Sequence, residues 1–212
     1  MELAVKIEGG FAEVNAGQWL VGHGQPAAFF GKAVRRRRRG WRVCDRFRLD
    51  LVETTGVAKC ADSSRPFLTH IPCAAPVFAA SGKVLVAPAA SRNGAHLVKA
   101  VPMNARSALC VTEFGSEWVV MATAGRTARV PLSEDETVSV RPEAVVAWTG
   151  KRPTGFCPKL SILDIILPRG PRDLLFTFYG PGIVWIEGAC DARLSNFQTH
   201  KLSNCRKGGY GV

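Results

Sequence analysis

Leu174-Leu175-Phe176-Thr177-Phe178-Tyr179, then Gly180-Pro181-Gly182, then Ile183-Val184-Trp185-Ile186-Glu187, is the stretch on which the fold turns. It reads as strand, glycine turn, strand. β-branched and aromatic residues dominate both arms, and these are the types that fit a pleated, half-buried surface. Two earlier segments share the plan. Phe114-Gly115-Ser116-Glu117-Trp118-Val119-Val120-Met121-Ala122 aligns with Tyr179–Glu187 without a gap, and Ser81-Gly82-Lys83-Val84-Leu85-Val86-Ala87 aligns more loosely. Each follows an apolar run: Pro76–Ala80, Leu109–Thr112 and Leu174–Phe178. The pattern predicts a glycine-turn hairpin occurring three times, in the manner of an internal repeat.

The stretches between support the same class. Ala128–Leu132, the acidic turn Ser133-Glu134-Asp135-Glu136, Thr137–Val140 and Ala144–Trp148 read as strand, polar turn, strand, turn, strand. A long amphipathic helix is not found; the nearest candidate, Lys159–Leu167, is short and β-branched and meets Pro168. Many short strands with regular turn signals predict an all-β chain of pseudo-repeated antiparallel sheet layers, a sandwich or prism. The expected division is one all-β domain over 1–190 and a flexible tail over 191–212. Prolines 66, 72 and 76 predict loops and short edge pieces over 54–76.

Length and composition set bounds. The 212 residues, 47% of them hydrophobic, are ample for a sizeable core. No run of eighteen apolar residues occurs, which argues against a membrane-spanning helix, and the opening Met1–Lys6 has no secretory pattern. The seven cysteines lie far apart, with no C-x-x-C pair. They read as reduced, buried thiols of a cytoplasmic protein rather than a zinc site or disulfide frame.

The net charge of +11 is unevenly placed. Residues 32–48 hold nine basic residues and one acidic, nine minus one or +8, whereas 49–190 hold fourteen basic and twelve acidic, or +2. The segment contains Arg35, Arg36, Arg37, Arg38 and Arg39 in succession, then Arg42, Arg46 and Arg48. Five like charges in a row read as a solvated loop. From Trp41 to Leu51 the pattern alternates, predicting one continuous strand with Trp41, Val43, Phe47, Leu49 and Leu51 on its apolar face. Arginine neutralises phosphates and stacks on bases. These eight arginines are therefore the candidate contact for a polyanion, either nucleic acid or acidic lipid headgroups.

Two stretches resemble a known family. Thr137-Val138-Ser139-Val140-Arg141-Pro142-Glu143-Ala144-Val145-Val146-Ala147-Trp148 is similar to its valine strand followed by Val-Ala-aromatic. Leu175–Ile186 is similar to its closing Gly-Pro-Gly-x-Val-Trp element. The family is that of the mitochondrial-biogenesis proteins named for altered inheritance of mitochondria, with their bacterial relatives, which resemble the tryptophan RNA-binding attenuator protein in fold. The resemblance spans about residues 77–188. It does not extend to residues 1–60 or to the arginine run. It implies a non-enzymatic, oligomer-prone β protein, and it carries no catalytic residues with it.

Sites of chemistry are correspondingly sparse. Gly180-Pro181-Gly182 is followed by a strand, whereas phosphate-cradling loops precede a helix. Ser81-Gly82-Lys83 is followed by Val84 where a phosphate loop needs Ser or Thr. His23, His70, His96 and His200 show no ligand spacing, and Cys110 and Cys190 have no base at hand in sequence. No catalytic, metal or cofactor residue is expected. The predicted role is a self-associating, non-catalytic scaffold, with polyanion binding through 35–48 as the alternative.

Overall fold

The protein, seen in a computed structural model, is described over residues 5–22, 27–30, 34–44, 47–98, 109–115, 117–156, 175–188 and 197–201; residues 27–30, 34–44, 47–48, 95–98, 154–156 and 197–201 are described by their backbone path. Its strands form four antiparallel sheets. The first has the order β1 (Val5–Glu8), β2 (Phe11–Val14), β7 (Ala58–Asp62), β4 (Ala27–Phe30). The second runs β5 (Val34–Cys44), β6 (Phe47–Thr54), β3 (Gly17–Gly22), β10 (Val84–Pro88), β13 (Trp118–Thr123), β8 (Phe67–Pro72). The third runs β11 (Arg92–Val98), β12 (Leu109–Phe114), β9 (Val77–Ala80), β16 (Val145–Thr149), β19 (Gly182–Glu187), β14 (Thr127–Leu132). The fourth is β17 (Thr154–Phe156), β18 (Leu175–Tyr179), β15 (Glu136–Val140), β20 (Phe197–Lys201). The all-β, layered expectation is thus met. The two central sheets share one plan: adding six to each strand number of the second (5, 6, 3, 10, 13, 8) gives the third (11, 12, 9, 16, 19, 14).

Three apolar cores glue the four layers. Ala12, Val14 and Cys60 of the first sheet meet Trp19, Val21, Leu85, Val86, Trp118 and Val120 of the second. Leu20, Leu49, Val119 and Met121 of the second meet Val77, Ala79, Phe114, Val146 and Trp185 of the third. Val111, Val145, Trp148, Val184 and Ile186 of the third meet Val138, Val140, Phe176 and Phe178 of the fourth. A central strand therefore has no wet face: β10 and β13 are buried at every position. Side chains alternate across a strand, so neighbours on β13 serve different cores, Val119 and Met121 one and Trp118 and Val120 the other. This explains why these segments read as continuous apolar runs rather than alternating ones.

The three expected hairpins are not hairpins. β9 and β10, β12 and β13, and β18 and β19 each lie in different sheets, and each strand pairs with others. Gly180-Pro181-Gly182 is a corner by which the chain leaves the fourth sheet for the third, and Ser81–Lys83 is a 3-10 turn from the third to the second. The acidic turn at 133–135 likewise joins β14 of the third sheet to β15 of the fourth, with Glu134 and Asp135 exposed. Glycine is needed at the corners for close approach. A Cβ on Gly180 would collide with the Ser133 carbonyl, and one on Gly182 would come within 2.7 Å of the Thr149 oxygen.

Other expectations are corrected as well. β7 is an interior strand of the first sheet, not a loop or edge piece. The stretch 41–51 is not one strand. It turns back on itself between β5 and β6, which pair antiparallel. Within the expected tail, Phe197–Lys201 forms β20 against β15. The helix candidate Lys159–Leu167 lies outside the described residues.

Candidate functional site

The arginine run is a strand, not a loop. β5 is the edge of the second sheet and pairs along β6: Arg35 stands opposite Glu53, Arg36 opposite Val52, Arg37 opposite Leu51, Trp41 opposite Leu49 and Arg42 opposite Arg48. The register is irregular between Arg37 and Trp41, the interval that holds Arg38, Arg39 and Gly40. Residues directly opposite share a face of the sheet. Val52 belongs to the core under the first sheet, and Leu49 to the core under the third. Positions 36, 42 and 48 therefore share the face toward the first sheet, and 35, 37 and 41 share the face toward the third. The basic positions are distributed over both faces and along the free edge, which a loop reading did not foresee. Arg42 and Arg48 are opposite each other in the backbone register, and like charges at directly opposite positions destabilise a ladder by about 0.2–1 kcal/mol unless a counter-charge offsets them. Arg46 lies outside the described residues.

A second polar cluster went unnoticed in the sequence. Lys83, at the turn between β9 and β10, pairs with Glu187 at the end of β19 and donates to the Glu143 carbonyl at the turn before β16. The other carboxylate oxygen of Glu187 accepts from the Ala124 amide at 2.6 Å and the Gly125 amide at 3.0 Å, between β13 and β14. One ion pair thus ties together corners serving the second, third and fourth sheets. Burial pushes the Lys83 ammonium down despite its partner. For Glu187, burial pushes up, but Lys83 and the two amides outweigh it and hold the carboxyl below its ordinary range. Neither residue stands in a local pattern; their pairing spans 104 positions.

Hydroxyls close the other corners. Ser81 and Thr112 bond across 3.0 Å, Ser91 donates to the Pro88 carbonyl, and Thr123 donates to the Phe67 and Gly125 carbonyls. Thr54 accepts the Trp19 indole N–H and donates to the Asn15 carbonyl. The described thiols are buried: Cys60 is pushed up to about 12 and Cys73 to about 11, both by burial, so each stays protonated and inert at neutral pH. Cys110 is also buried. His70 lies on β8, where burial lowers its pKa. His96 and His200 fall on β11 and β20, and His23 and Cys190 lie outside the described residues. Among the described residues, no group of three or more His, Cys, Asp or Glu side chains gathers as a metal site would require. No helix of the described residues is long and apolar enough to cross a membrane.

No protein-family model matches the chain, and no curated protein does. Among solved structures, the chain is similar to the crystal structure of protein SPYM3_0169 from Streptococcus pyogenes. The TM-score is 0.64 at 12% identity, over 87% of this chain and 92% of that one. At that identity the likeness is one of fold: the layered β architecture described above is one this chain shares with a solved bacterial protein.

Proposed function

We propose that the protein is a non-catalytic β scaffold that assembles with itself, in keeping with the resemblance of residues 77–188 to the mitochondrial-biogenesis family and its bacterial relatives, and that it works in the cytoplasm. One observation carries the scaffold reading. The hydroxyls and the ion pair that could serve chemistry are instead engaged in closing corners between sheets, as with Ser81 and Thr112 or Lys83 and Glu187. A nucleophile needs a base in reach and a polarised neighbourhood, and burial has raised the Cys60 and Cys73 thiols away from reactivity. Light scattering over a wide concentration range tests the assembly; a strict monomer at the highest concentration refutes it.

A second reading is favoured by the place of β5. An edge strand carrying five successive arginines concentrates positive charge at one side of the second sheet, so we propose polyanion binding through Arg35–Arg39, Arg42, Arg46 and Arg48. Replacing Arg35–Arg39 by serine is expected to abolish retention on heparin or RNA. Equal retention before and after the change sinks this reading.

A further inference from the structure

The second sheet ends in two unlike ways. On one side stands β5 with its arginines. On the other stands β8, Phe67-Leu68-Thr69-His70-Ile71-Pro72, without a charged residue and with its proline at the last position. Among the described residues β8 pairs on one side only, with β13, from Phe67 opposite Thr123 to Pro72 opposite Trp118. No described strand takes up the backbone donors and acceptors of its other side. Phe67 to His70 are half-buried, and Ile71 is fully buried in the core. Sheet edges in native proteins are protected by charge, by interior proline or by a cover. The corresponding edge of the third sheet, β14, has both Arg129 and Pro131. The uncharged β8 has neither safeguard.

A second observation falls at the same place. The Nε2 of His70 is buried without a hydrogen-bond partner among the described residues, and so is the Nε1 of Trp118; the two rings lie 5.9 Å apart. A buried polar atom left unpaired costs about 1–3 kcal/mol. A strand laid beside β8 brings a side chain within about 5 Å of His70 on the same face.

We propose that β8 is the self-association edge: two copies of the chain pair β8 against β8, antiparallel, joining the six strands of each second sheet into one continuous sheet of twelve. The inference rests on the self-assembly reading and names its surface. The occupant follows from charge. A copy's β5 is a poor partner, since β8 offers no counter-charge to five arginines, and β5 against β5 repels. β8 displays no charge by which a foreign partner would be steered to it. β8 against β8 is isologous and closes as a dimer, and it keeps the antiparallel pairing seen throughout the four sheets.

The test is sizing of the full chain by light scattering, with Thr69→Lys on β8 and Ala128→Lys on the exposed part of β14 as its control. The dimer is expected to weaken by about a hundredfold or more in Thr69→Lys, equivalent to about 2.7 kcal/mol, and to persist in Ala128→Lys. A monomeric parent protein refutes self-assembly itself. A dimeric parent whose Thr69→Lys variant remains dimeric overturns the edge while leaving self-assembly standing. Should Thr69→Lys fail to fold, amide hydrogen exchange of the unaltered protein decides. β8 amides must slow as concentration rises while β5 amides do not, and slowing confined to other strands overturns the proposal.

Discussion

β5 and β8 are the two edges of one sheet, built on the same frame and separated by the same four strands, yet they solve the problem of an open edge in opposite ways. β5 is long, eleven residues, and guarded by like charge, whereas β8 has six residues and no charge at all. An edge that repels its own copy remains free for something of opposite sign. An edge without charge is free for its own copy. Charge on an edge strand is one of the safeguards by which native sheets avoid edge-to-edge pairing, so the arginine run fits a part in the architecture before any ligand is considered. The two proposals, polyanion binding at β5 and self-assembly at β8, are then not rivals, since they invoke different edges.

The comparison can be broken most forcefully through the frame the two edges share. Gly180→Ala forces a methyl into the Ser133 carbonyl at the corner between the fourth and third sheets. The expected loss is at least about 3 kcal/mol of stability, read by chemical denaturation. Both edges should fail together, and a near-normal midpoint would show that the corner yields. Arg35–Arg39 replaced by serine addresses one edge alone. The salt dependence of RNA binding should flatten by a slope of about four, with the dimer unchanged. If sizing shifts as well, the two edges are not independent.

Glu187→Gln tests the tie between corners. Removing one charge from a largely buried pair leaves the Lys83 ammonium uncompensated, and about 3 kcal/mol is the expected cost, since the two side chains are only 12% and 15% exposed. The same carboxyl predicts an acid limb. Its pKa is held below the ordinary value, so its contribution is complete above about pH 4.3 and is lost as pH falls from there through the lower folded value. In Glu187→Gln that part of the pH–stability curve should flatten. The smallest effect is expected from Arg48→Glu, which turns the facing Arg42–Arg48 pair into an attractive one. A gain of about 0.2–1 kcal/mol, read as a raised melting temperature at low salt, is expected, and a loss would mean that the pair already has a counter-charge.

What the sequence made legible follows from how far each signal reaches. The strands of the central sheets stood out because burial on both faces removes alternation and leaves runs such as Trp118–Thr123, apolar but for its closing threonine. The corners did not, because a glycine between two apolar strands looks the same whether those strands pair or diverge. What separates a hairpin from a corner at Gly180 is the partner strand, and β19 finds its partners at β14 and β16, well upstream. The arginine run was read as a loop because self-repulsion is a local argument, while its strand state is imposed by β6. The reversal between β5 and β6 was hidden because the apolar alternation of Trp41 and Val43 resumes at Phe47, Leu49 and Leu51. Of the candidate sites, the basic segment was visible from charge alone, but its place on an edge was not. The edge place of β8 was foreshadowed by the prolines that predicted short edge pieces over 54–76, whereas the Lys83–Glu187 tie had no local signature at all.

The shared plan of the two central sheets has a consequence for how the chain is made. The last strand each sheet requires ends at Asp62 for the first, Thr123 for the second, Glu187 for the third and Lys201 for the fourth. Closure therefore travels from one end of the stack to the other in the direction of synthesis. A ribosome that has released residues through Thr123 has supplied every strand of the first two layers. The strands of the third layer made by then, β9, β11 and β12, must wait with unpaired edges until β16 and β19 emerge. That waiting interval is where a nascent chain of this design most needs a chaperone.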